Sequence, residues 1–159
     1  MDRSFVAENA RSRQRLRALL RRLSDRDLER ELPNGWTVAA ALAHLAFWDQ
    51  RVLVLLRRWA QSGVGRSPID VDATNDAILP LCLAIPPRVA GELALAAAEA
   101  VDRELEDLSD EMMSAIEGLG VGFRFRRSIH RDEHLSEIEA LFQGRRHPAS
   151  GVGGRGRRE

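Results

Sequence analysis

Apolar residues recur along this chain at every third or fourth position, the period of an amphipathic helix, in stretches separated by clear breakers. Over 3–23 the stripe is Phe5, Asn9, Ser12, Leu16, Leu20 and Leu23. Asn9 and Ser12 interrupt it and point to a polar environment inside the fold. Ser24 suits the N-cap of a short turn, and P-N-G at 33–35 breaks the chain. The pattern then predicts a long helix over 36–62, capped by Thr37 and stopped by Gly63 and Gly65. Its stripe is Val38, Ala41, Leu45, Trp48, Val52, Leu55 and Trp59. Phe47, Leu53 and Val54 make much of the opposite side apolar too, which marks it as the most buried helix.

Residues 63–68 read as a loop, and 70–84 as a helix that Pro80 should kink or shorten. Pro86 and Pro87 punctuate, with Pro87 suited to the first turn of a helix over 88–108. Val89, Leu93, Ala97, Val101, Leu105 and Leu108 form its stripe, and its alanines predict close helix packing. Residues 109–127 are looser, with a short turn at 110–117 followed by the irregular G-L-G-V-G-F-R-F. A last helix over 128–143 ends at Gly144. The Gly/Arg-rich 144–159 cannot bury a core and is expected to be a disordered tail. No strand alternation and no internal repeat appears. The expectation is an all-α domain over 1–143, a bundle of four principal helices.

Composition narrows the function classes. A hydrophobic share of 44% with 30% charged residues is that of a globular chain. The 24 basic and 24 acidic residues cancel, so no global field argues for a nucleic-acid or membrane partner. All the basic residues are Arg, which excludes a Schiff-base lysine. The Arg-rich run between Arg3 and Arg30 has no interleaved aromatics and reads as a solvated helix face. Cys82 is the only cysteine, so no internal disulfide forms; it reads as a small buried hydrophobe and fits a reducing compartment. The N-terminus has no apolar leader, and the expected location is cytoplasmic.

The candidate chemistry lies in the last helix. His130 and His134 are four residues apart, so both rings point the same way from bases about 5–6 Å apart. At 100° per residue they share a stripe with Glu137, Ile138 and Leu141, while Arg131, Asp132, Glu139 and Gln143 fall to the sides or behind. Alone, the pair suits two surface histidines, or two hydrogen-bonded core histidines, as well as half a metal site. Two features favour the metal. Both rings share the apolar stripe, where an unpaired imidazole is costly. A third histidine, His44, faces inward from the long helix beside Trp48 and Leu55. His147, in the tail, is set aside. Three neutral imidazoles would leave one or more coordination positions open, the arrangement of a catalytic rather than a closed structural site.

Taken together, His44 in V-A-A-A-L-A-H-L-A-F-W-D, the H-R-D-E-H-L-S-E-I run at His130 and His134, and V-D-A-T-N-D-A-I-L-P make the chain resemble the DinB-like metal-binding four-helix bundles. These include the thiol-dependent S-transferases. The resemblance covers roughly residues 3–143. It implies one divalent metal ion of the Zn, Ni or Fe class held by His44, His130 and His134. It also implies a small-molecule substrate, and either transfer of a low-molecular-weight thiol to an electrophile or metal-assisted hydrolysis. A homodimer is in keeping with the family. Glu137 stands where the family has Gln, and a carboxylate there would orient a ligand or approach the metal. Arg51, or Arg124 or Arg126 on the preceding loop, would suit an anionic thiol, and Trp48 and Leu55 would wall the pocket.

Two rival readings are weighed. H-R-D-E-H also matches the inverted zinc-protease signature, with Glu133 as general base. That signature needs another carboxylate ligand far downstream, whereas Glu133 falls about 60° off His130, away from His134 and toward solvent. The other rival is a non-catalytic helical bundle serving stress response, sequestration or partner binding. Convergence of the three imidazoles on one point, with an open side facing a cavity, discriminates against the second.

Overall fold

The computed structural model describes residues 2–120, 123 and 125–143. The expected tail, with His147, and Arg124 lie outside the described residues. The described chain is all-helical, with only an isolated antiparallel bridge between Glu31 and Thr37.

Four of the helices start where the side chain of the preceding residue takes over an unsatisfied backbone donor. α1 (Ser4–Arg22) buries Phe5, Asn9, Ser12, Leu16 and Leu19. Ser24 then caps the one-turn α2 (Asp25–Leu28) in a reciprocal capping box with Asp27. The following loop turns at Gly35, whose φ of 84° favours glycine, and Leu32 N–H donates to the Trp36 carbonyl at 2.7 Å. Thr37 accepts from Ala40 N–H and opens α3 (Val38–Ser62), which ends at Gly63 with φ 85°. Asp70 caps α4 (Val71–Ala84), Pro87 opens α5 (Pro87–Glu106), and Ser109 caps α6 (Asp110–Gly118). α7 (Arg127–Gln143) closes the described chain.

α3 is the central element. It packs on α5, α4 and α7, while α1 packs on α7 and α5. Every residue from Val38 to Ala46 is buried. Small side chains all round let neighbouring backbones close in on every side, as the apolar pattern predicts. α3 is also the one helix among the described residues long and apolar enough to cross a membrane, but 67% of its most apolar window is buried inside the protein. One core cluster gathers Leu16, Leu28, Val38, Leu42, Ala94, Ala98, Leu135 and Ile138; a second gathers Phe5, Val52, Leu56, Trp59, Val101, Leu105, Met113 and Ile116. Each fully buried leucine stabilises the fold by about 1.5–3 kcal/mol, so Leu135 and Ile138 hold α7 in place more strongly than any single neutral hydrogen bond.

Four expectations need correction. The α5 stripe is rotated: Val89 and Leu93 are 41% and 44% exposed, and Ala90, Gly91, Ala94 and Ala98 face inward instead. Close approach selects the small residues there. A Cβ at Gly91 would stand 2.8 Å from Leu20 Cδ2. The turn at 110–117 is the helix α6. α4 runs through Pro80 to Ala84; Asp76, whose carbonyl loses its helical donor, is exposed, so water can take the donor's place. Finally, the inward face of α7 is Arg127, Ser128, Arg131, Leu135 and Ile138, with Arg131 fully buried and Glu137 exposed.

Candidate metal centre

α3 and α7 bring the three histidines together. His44, 6% exposed, projects from the buried alanine-rich half of α3. His130 and His134 stand one turn apart on α7, both half-buried. The ring centroids lie 5.1 Å (His44–His130), 4.9 Å (His44–His134) and 5.0 Å (His130–His134) apart. One nitrogen from each falls within 4.8 Å of the others. The Nε2 atoms of His44 and His130 are 3.1 Å apart. Two imidazole nitrogens each about 2.0–2.1 Å from one ion subtend about 100° at that separation, close to a tetrahedral angle.

The surroundings favour the ligating form of His44 and orient the ring of His134. Burial, followed by the charge of His134, lowers the His44 pKa to about 4, so the ring is neutral at pH 7. Only the neutral imidazole binds a metal. Its Nδ1 is buried without a hydrogen-bond partner, so Nε2 is the one nitrogen of His44 that faces other donors. The edge of Trp36 fixes the ring at 5.2 Å between centroids, and Trp48 flanks it at 6.2 Å. His134 Nδ1 is 3.1 Å from Glu137 Oε2. An Nδ1–H donating to that carboxylate leaves Nε2 with the lone pair. The donor set therefore fits a divalent ion.

Beneath the histidines lies a buried charge cluster that the sequence reading missed. Asp49 on α3 accepts from Arg127 Nε at 2.8 Å and from Arg131 Nε at 2.7 Å. Asp102 on α5 accepts from Arg131 Nη1 and Nη2 at 3.1 and 2.7 Å, and Arg13 on α1 lies 3.3 Å from it. The signal was in the pattern. Leu45, Asp49, Val52 and Leu56 form one buried stripe of α3, and Arg127, Arg131, Leu135 and Ile138 form one of α7. A charge on a buried stripe requires a partner on another helix. Asn9 and Ser12 serve the same joint: Asn9 donates to the Phe125 carbonyl and accepts from Ser128 N–H, and Ser12 donates to Asp132.

A cavity of about 540 Å³ opens beside His44 and His130. Trp48, Leu55 and Arg51 line it. Trp48 Nε1 donates to Asn75 on α4 at 3.1 Å, which ties that helix to the cavity. Arg126 does not line it: its guanidinium is taken up by Glu8, Asp2 and Ser4 at the start of the chain. Glu133 is exposed, as expected. Cys82 is buried, which pushes its thiol pKa up.

Among the described residues the chain is all-helical, and its three-histidine cluster, set beside an open cavity, is compatible with a bound metal ion. The model of the DinB superfamily matches residues 8–137. The chain belongs to the DinB superfamily. Neither a curated protein nor a solved structure matches it.

Proposed function

We propose that this protein is a metal-dependent enzyme built as a DinB-type four-helix bundle with added short helices, holding one divalent ion through His44, His130 and His134. Its reaction is transfer of a low-molecular-weight thiol to a small electrophile, or hydrolysis of a small molecule. One observation carries the reading: three imidazoles cluster, and two of them, His44 and His130, line a cavity large enough for a small substrate. When bound, a divalent ion supplies Lewis acidity that brings the pKa of water toward about 7 and deprotonates a thiol.

The chain's own residues do the rest. Burial keeps His44 neutral, and Glu137 fixes the His134 ring and its tautomer. Trp48 and Leu55 exclude water from one side of the cavity. The donors suit Zn, Ni, Fe and Cu alike. The test is elemental analysis of the purified protein beside His44→Ala. Near-stoichiometric metal in the first and its loss in the second is the expected result; equal content refutes the site. Thiols paired with electrophiles, with and without metal, then separate transfer from hydrolysis, and no turnover by either route identifies a binding protein.

A further inference from the structure

The cavity beside the histidines carries charge of one sign. Arg51, Arg66 and Arg127 line it, and among the described residues no Asp or Glu does. Arg127 is the decisive member. It is only 6% exposed, and its Nε is held by Asp49. Among the described residues neither of its terminal nitrogens has a partner, although a guanidinium carries five N–H donors. Asp49 is shared with Arg131, so the negative charge under Arg127 is already divided. Among the described residues Arg51 hydrogen-bonds through Nη2 alone, to the carbonyl and hydroxyl of Ser67, while its guanidinium lies 6.0 Å from the Trp48 ring centroid. Burial, and then the positive charge of Arg127, lowers the Arg51 pKa. Two cations thus share a partly dry cavity that no carboxylate among the described residues lines, and an incoming anion relieves their repulsion and offers charge-assisted partners to Arg127 donors that otherwise face solvent.

The opposite wall has another character. Trp48, Val52, Leu55, Trp59 and Phe123 give it an aromatic and aliphatic surface. Resting on the small-molecule reading above, we infer that the substrate is an amphipathic carboxylic acid whose carboxylate is taken by Arg127 and Arg51 and whose apolar body lies on the tryptophan wall. A planar guanidinium fork matches a carboxylate at two oxygens, which a lone ammonium does not. Arg127 lies one turn before His130 on α7, so an anchored carboxylate brings the remainder of the molecule toward the histidine cluster.

Trp48 and Trp59 make the inference readable without turnover. The full chain is titrated with benzoate and with its neutral isostere benzamide, following tryptophan fluorescence, in EDTA-treated and metal-loaded forms. Benzoate is expected to bind on the order of tenfold more tightly than benzamide in both forms. Arg51→Gln, and Arg127→Lys, which keeps a cation for Asp49 but loses the fork, should each remove most of that preference and leave benzamide unchanged. Urea unfolding of the variants confirms that they fold. No binding of benzoate, equal binding of the two probes, or benzoate binding indifferent to both arginines overturns the inference. Benzoate that binds only the metal-loaded form and ignores the arginines sits on the metal, which also overturns it while sparing the metal site. A benzoate preference that depends on the arginines, in a protein whose histidines hold no metal, sustains it and removes the metal reading instead.

Discussion

His44 is the residue on which the site turns, and its burial sets a measurable pH dependence. Its pKa in the folded protein, about 4, lies below the ordinary 6.5. Between those values the unfolded chain takes up a proton that the folded chain refuses, so stability falls as pH is lowered through that window and is unaffected above it. Allowing for solvent reaching the ring through the cavity, the loss is on the order of 1–2 kcal/mol. Urea titrations of EDTA-treated protein from pH 7 to 4 should show it, and His44→Leu should flatten the slope; parallel slopes would remove His44 as the cause. Glu137 gives a second prediction at this scale. Its carboxylate accepts from the His134 ring, so Glu137→Ala should weaken metal binding by about tenfold. Glu137→Gln, which keeps an acceptor oxygen, should retain most of the affinity. Competition with a chromogenic chelator measures both, and an unchanged affinity for the alanine variant would mean the contact is idle.

Among the elements, α7 carries the most consequence, because both of its histidines depend on how it seats against α1 and α3. Leu135 and Ile138 supply the apolar anchor. Arg131 sets the register by bridging Asp49 of α3 and Asp102 of α5. Replacing one partner of a buried ion pair leaves the others charged and unpaired in a dry place, which costs about 3–5 kcal/mol. Arg131→Met should therefore lower the unfolding free energy by that amount in urea. A loss below about 1 kcal/mol, the worth of an exposed pair, would show that the cluster is solvated. The stripe through His130, Glu137 and Leu141 is readable from the periodicity, yet it forms one edge of the buried face and not its centre. Arg131 looked like a flank residue because a helical wheel weighs side chains by polarity. It cannot see the two aspartates on other helices that make a buried arginine tolerable.

At the scale of the whole molecule, metal and fold are coupled if the ion binds only the folded chain. Free metal at about a thousand times its dissociation constant would add about 4 kcal/mol. For a domain of this size that corresponds to a rise of roughly 8–16 °C in Tm. Differential scanning calorimetry with and without EDTA measures it, and a Tm indifferent to metal would separate the ion from the fold. The helical period, the caps at Ser24 and Thr37, the burial of α3 and the inward aim of three histidines were all present in the order of residues, because each depends on neighbours within a turn or two. The rotated face of α5, the pairing of Arg131 with Asp49 and Asp102, and the place of Arg127 in the cavity beside Arg51 were not. Those depend on which helices meet, over separations of 29 and 82 residues in the case of Arg131. Local periodicity therefore determined which residues could form the site, whereas long-range packing alone decided which charges would lie together beneath it and which would line the cavity.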